Sequence, residues 1–210
     1  MASRASKKDH AYKLIRQSII SGELRPGDIL NIANLSQKYS LGITPVREAL
    51  IVLESEGFVD SLPRTGFIIT SVTIQDILET FHLRTILEVE AIGLAVARIA
   101  DEDIRALEAN NSTEMQLGQA TNGNRRTQAY ELNRDFHLII ARASGNRRLA
   151  SLVEQFLDEM ERMLAVDPYI ADPEQHLDIL RGLKTKQKEA AQSAMKKHLD
   201  HTRSRIINRF

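Results

Sequence analysis

Cysteine is absent from the chain, which excludes disulfides, thiolate metal sites and cysteine nucleophiles at one stroke. No apolar run approaches the roughly 20 residues that a membrane span needs. The opening residues Met1-Ala2-Ser3-Arg4 have no apolar segment of the kind a secretory signal carries. Together these absences lead us to expect a cytoplasmic protein with no membrane partner. No phosphate-cradling glycine loop, dinucleotide fingerprint or Ser/His/Asp nucleophile arrangement is found, and this weighs against an enzyme. An excess of charge is also missing, with 28 Lys and Arg balancing 28 Asp and Glu. Any nucleic-acid affinity must therefore depend on where the basic residues sit. Residues 1–72 hold nine Lys and Arg against seven Asp and Glu, leaving the front at +2 and the remainder at −2.

What is present is ordinary for a folded soluble chain: 42% hydrophobic and 27% charged residues over a length that accommodates one or two domains. Residues 1–9 are small and polar and include Lys7-Lys8, which reads as a flexible basic arm. From His10, the residues Tyr12, Ile15, Ile19 and Ile20 recur at helical spacing until Ser21-Gly22 and Pro26-Gly27 turn the chain. A short helix is expected around Ile32–Tyr39, with Leu35 facing inward. The next helix follows Leu41-Gly42-Ile43-Thr44-Pro45, with Thr44 expected at the N-cap and Pro45 at the first helical position. Val46, Leu50 and Leu53 form its inner face. After Glu56-Gly57 the period changes. Phe58-Val59 and Phe67-Ile68-Ile69 are β-prone and flank Leu62-Pro63-Arg64-Thr65-Gly66, the pattern of a hairpin.

Three helices and a hairpin predict a winged helix-turn-helix over residues 10–72, with 70–73 as linker. Beyond it everything reads as helix, so the protein is expected to be mainly α. Thr73 with Asp76 resembles a capping pair opening a long helix to about Ile99. Further helices are expected over 102–117, 125–143, 146–166, 173–185 and 187–209, broken at Gly145-Asn146, Pro168 and Pro173. This makes residues 73–210 an all-α bundle of about six helices, an architecture whose core often hosts ligand and metal sites.

The stretch Ile19-Ile20-Ser21-Gly22-Glu23-Leu24-Arg25-Pro26-Gly27-Asp28-Ile29-Leu30 carries a motif. So do Thr44-Pro45-Val46-Arg47-Glu48-Ala49-Leu50 with Leu53-Glu54 and Glu56-Gly57, and the wing Pro63-Arg64-Thr65-Gly66. In this order they resemble the GntR family of bacterial transcription regulators over about sixty residues. The resemblance implies binding to double-stranded operator DNA through Arg25, Ile43, Thr44, Pro45, Arg47, Arg64, Thr65 and Gly66. A recognition helix reads the major groove with its first turn, and Arg47 stands there with a forked donor suited to guanine or phosphate. Arg64 at the wing tip is placed for the minor groove. This chain departs from the family by having Gly42-Ile43 where Ser-Arg is usual and Ala33 where some relatives carry arginine. Ile43 is expected to meet a thymine methyl instead.

In the second half, Arg84 with Leu87-Glu88, Asn133, Phe136-His137, Gly145-Asn146, His176 and His198 resemble the FCD group of the same family. That group uses its helical domain for dimerisation and for sensing. The resemblance implies a divalent transition metal, Zn²⁺ first with Ni²⁺ or a similar ion as alternatives, held by Asn133, His137, His176 and His198. It also implies a small carboxylate effector near Arg84 and Asn146. Asn133 and His137 are four apart and share a helix face, and three imidazoles without thiols suit such ions. His201 is a rival ligand, and Arg84 is equally spaced to pair with Glu88. A homodimer on a two-fold operator is expected. The competing readings are a constitutive dimeric DNA-binding protein and a metal-dependent enzyme joined to a DNA-binding head.

Overall fold

A computed structural model describes residues 6–117, 123–163 and 173–209. The chain divides into two compact units that part between Val72 and Thr73.

The first unit opens with α1 (Lys7–Ile20), which begins earlier than its apolar spacing suggests. Ser6 and Asp9 form a reciprocal capping box, with Asp9 N–H donating to the Ser6 hydroxyl and Ser6 N–H to the Asp9 carboxylate. The expected arm over 1–9 is thus helical from Lys7, and residues 1–5 lie outside the described residues. After α1 come β1 (Ile29–Leu30), α2 (Ile32–Lys38), α3 (Ile43–Ser55), β2 (Val59–Leu62) and β3 (Gly66–Ile69). The strands form an antiparallel sheet in the order β1-β3-β2, with Leu30 opposite Phe67 and Ser61 opposite Phe67 on its other side. The two-residue β1 escapes a sequence reading because it is too short to alternate visibly. Its position is fixed by Gly27 N–H donating to Ile69 O and Ile69 N–H donating to Asp28 O.

The start of α3 differs from the sequence expectation. Its N-cap is Gly42, with no side-chain hydrogen bond, so Thr44 and Pro45 fall at the second and third helical positions. Proline is still accommodated there, because the first-turn amides have no helical carbonyl to bond. Ala11, Ile15 and Ile19 of α1 pack with Val46, Leu50 and Leu53 of α3 to form the core, which Phe58, Phe67 and Ile69 close from the sheet side.

The second unit consists, among the described residues, of six helices: α4 (Ile74–Ala95), α5 (Asp101–Leu117), α6 (Gly123–Ala143), α7 (Arg147–Met163), α8 (Pro173–Lys184) and α9 (Lys188–Ile207). Thr73 and Asp76 form the capping box that starts α4. The helix ends at Ala95, four residues before the expected limit, because the amides of Arg98 and Ile99 both turn back onto Ala95 O. Pro168 and the expected end of the 146–166 helix fall outside the described residues. Helix α4 packs against α6, α7 and α9, and it contributes Phe81, Ala91 and Ile92 to a core shared with Phe136, Leu138, Leu157 and Leu199.

Helices α8 and α9 approach closely at Gly182. A β-carbon there would sit 2.7 Å from Ala191 Cα and 2.8 Å from its nitrogen, both rigid backbone atoms. Gly182→Ala is therefore expected to destabilise the protein by about 1–3 kcal/mol through overpacking, despite alanine's better helix propensity. Urea unfolding measures this, and a variant as stable as the parent would show that the two helices can separate freely.

Candidate DNA-reading surface and buried histidine site

On the first unit, the outer face of α3 presents Ile43, Arg47 and Ile51, spaced by four and all exposed. Thr44 is exposed beside them. The wing turn brings Arg64 near this face. Arg64 has a left-handed backbone (φ 66°), and Thr65 N–H closes the turn by donating to Leu62 O. Gly66 follows at φ 135°, where a β-carbon would lie 2.4 Å from Leu30 O, so the wing needs glycine to reach β1. Between α3 and the wing lies an open hollow of about 420 Å³, bordered by Asn31, Arg47, Ile51, Arg64, Thr65 and Phe67. Arg25 is not part of this hollow. It is exposed in the turn before β1, where its backbone amide donates to Asp28. Ile51 is the residue that sequence reasoning missed. Its signal was its spacing from Arg47, off the inward face set by Val46, Leu50 and Leu53.

In the second unit the bundle buries a polar cluster. Helix α6 supplies Asn133 and His137, α8 supplies His176 and α9 supplies His198, all 3% exposed or less. One ring nitrogen from each histidine lies within 4.8 Å of the others. The ring centroids are 5.5 Å apart for His137 and His176, 5.2 Å for His137 and His198, and 4.8 Å for His176 and His198. Phe136 stacks on His176 at 4.0 Å and holds its plane. The three histidines each leave one buried ring nitrogen without a hydrogen-bond partner (His137 Nε2, His176 Nε2 and His198 Nδ1), and Asn133 Oδ1, one helical turn before His137, is likewise buried without one. Such atoms are costly to bury unsatisfied. As three imidazole nitrogens and one carbonyl oxygen, they suit a divalent transition metal.

Two neighbours of the cluster come from α4. Arg84 Nε donates to Glu88 Oε1 at 2.7 Å, and Glu88 Oε2 meets His137 Nδ1, so the expected Arg84–Glu88 pair is formed. Arg84 Nη2 is nevertheless left buried without a partner. Burial works to raise the Glu88 pKa, but Arg84 and His137 outweigh it and hold the carboxylate down at about 2. His137 is lowered because burial outweighs the attraction of Glu88. His198 is lowered further, by burial and then by the charges of His176 and His137. Asn146 has a capping role that the sequence reading did not foresee. It is exposed, and its side-chain carbonyl accepts from Leu149 N–H in the first turn of α7. His201 is exposed and stands outside the three-histidine group. Sequence reasoning also missed Asn111 and Glu114 of α5, both buried against His176.

A winged reading head followed by a helical bundle with a polar core is the build of a DNA-binding transcription regulator. Residues 7–69 match the family described as bacterial regulatory proteins, gntR family, and residues 79–201 match the FCD domain. The chain is 29% identical over 197 residues to the uncharacterized HTH-type transcriptional regulator YdhC of Bacillus subtilis, covering 90% of this chain and 86% of that protein. It is 28% identical over 207 residues to the HTH-type transcriptional repressor GlaR of Escherichia coli, covering 90% of each. Among solved structures, E. coli McbR/YncC shares the fold with a TM-score of 0.76 at 24% identity, over 98% of this chain and 99% of that one. The chain belongs to the GntR family of bacterial regulators, in the group that carries an FCD domain. These relatives are transcription regulators and not enzymes. Among the described residues no helix is long and apolar enough to cross a membrane.

The buried imidazoles make metal-free protein sensitive to acid. Once unfolded, they take up protons near the ordinary histidine value of 6.5, whereas folded His137 and His198 resist protonation. The unfolded state therefore binds more protons, and stability falls as pH drops below about 6.5. Thermal melting of chelator-treated protein from pH 7.5 to 5 is expected to show this decline, with a shallower one for His198→Asn. Parallel curves for the two proteins would exclude His198 as a source.

Proposed function

We propose that this regulator is a homodimer that reads a two-fold operator and senses a small carboxylate through a divalent metal, Zn²⁺ first among the candidates. The observation that carries the reading is the set of four unpartnered buried donors: Asn133 Oδ1, His137 Nε2, His176 Nε2 and His198 Nδ1. Held by these atoms, the ion would supply a positive centre with room for an anionic ligand. Arg84 Nη2, buried with its donor unused, is the protein's own contribution to gripping a carboxylate. All four donors are neutral, being three imidazole nitrogens and one amide oxygen. The site therefore keeps the ion's full charge and favours an anion. Support for the dimer comes from exposed Ile74, Leu78 and Ile86 on α4 and Leu152 on α7, apolar residues that a second copy would cover.

At the DNA, Arg47 supplies the forked donor for a base edge or phosphate, Thr44 a hydroxyl for a phosphate, and Arg64 a cation for the minor groove. Pro45 fixes the first-turn backbone, and Arg25 is placed to add a phosphate contact from the turn before β1. Exposed Ile43 reads a thymine methyl where relatives carry arginine.

Elemental analysis of untagged protein is expected to find about one equivalent of a transition metal per chain, lost in both His137→Ala and His176→Ala. Metal-free protein that stays empty after reconstitution would defeat the sensing part of the reading and leave the DNA reading intact. On an operator selected from random duplexes, Arg47→Ala is expected to weaken binding by about 1–3 kcal/mol. Selection with Ile43→Arg should move the preferred base from thymine towards guanine. An unchanged preference there would remove Ile43 from the reading surface.

A further inference from the structure

The inward stripe of α5 is Leu107, Asn111 and Glu114, the i, i+4, i+7 spacing at which a bundle helix normally buries apolar residues. Two of the three are polar, and both meet the same ring. His176 Nδ1 lies 3.3 Å from Asn111 Oδ1 and 3.4 Å from Glu114 Oε2. Glu114 is 2% exposed, and neither of its oxygens has a hydrogen-bond partner. A carboxyl group placed there at such cost calls for a use. Across the cluster, His137 has the same arrangement: its Nδ1 meets the Glu88 carboxylate and its Nε2 has no partner.

We propose that Glu114 and Asn111 are positioning residues for His176, doing from α5 what Glu88 and Arg84 do for His137 from α4. Asn111 Oδ1 on Nδ1, with the Glu114 carboxylate 3.4 Å away, keeps the proton on that nitrogen and leaves Nε2 as a bare lone pair offered to the cluster. The tautomer is thereby chosen before any ion arrives. Phe136, stacked nearly parallel to His176 with 6° between the planes, fixes the ring orientation while α5 fixes its proton. When Nε2 is ligated, Nδ1–H becomes a stronger donor, and Glu114 then gains the partner it lacks. Helix α5 thus belongs to the site although it supplies none of the four donors. The inference rests on the metal reading above.

Zn²⁺ affinity measured by chelator competition tests it, using the wild type, Glu114→Gln and His137→Ala. Glu114→Gln is expected to bind Zn²⁺ about 10–100-fold more weakly, with metal-free thermal stability unchanged or raised. An affinity within twofold of wild type would overturn the proposal while leaving the metal reading standing. Wild-type protein that takes up no Zn²⁺ would overturn the metal reading instead. Long-range ¹H–¹⁵N NMR of metal-free wild type then decides the positioning role separately, and needs no variant to fold. His176 is expected to carry its proton on Nδ1, and a proton on Nε2 would overturn the proposal.

Discussion

Three imidazoles packed around one point in a helical core impose a condition on everything near them. Each ring has two nitrogens, and in the neutral state one is a donor and the other an acceptor. Inside a bundle no solvent settles which is which, so neighbouring side chains must. Glu88 settles it for His137 by accepting from Nδ1, and Arg84 in turn anchors Glu88. The same constraint explains why α4, central to the packing, carries a charged pair 2% exposed in its middle. A buried pair of this kind adds little net stability against an apolar replacement. Its presence is better explained by the ring it orients than by the fold it joins.

The two units put their polar residues to opposite uses. In the first, the apolar core is closed and the distinctive groups face outward on α3 and the wing. In the second, the distinctive groups face inward and the outer surface keeps several apolar residues exposed. The first unit is built to meet a large partner with an irregular surface. The second, on the proposed reading, surrounds something small.

Much of this was legible in the sequence because periodicity and capping act locally. The Thr73/Asp76 box, the inner face of α3 and the order of the bundle helices all follow from spacing. The misses have physical causes. Strand β1 is held by hydrogen bonds to β3, almost forty residues away, and has no local signature. Helix α3 starts at Ile43, two residues before the expected first helical position at Pro45, because Gly42 serves as N-cap without a side chain, and composition does not advertise that. The cap formed by Asn146 was not foreseen, since many residue types stand at such positions and the hydrogen bond to Leu149 depends on the local turn. Asn133 and His137 were visible at four-residue spacing, and His176 and His198 joined them only through the family resemblance. Glu114 was not visible, since a glutamate on a charge-rich helix looks like surface until its neighbours are known.

The N-cap of helix α4, Thr73, is the first residue after the boundary between the units, and the helix start is pinned by the Thr73/Asp76 box and not left to fray. Arg84 and Glu88 lie three to four turns along it, roughly 15–20 Å from that start at 1.5 Å per residue. A helix of this length is stiff along its axis. Whatever moves Arg84 or Glu88 can travel towards Thr73 only as a shift or turn of the whole rod. No hinge lies between the two points to absorb it. On the proposed reading, the inner wall of the sensing site and the rod that leads back to the unit boundary are one part.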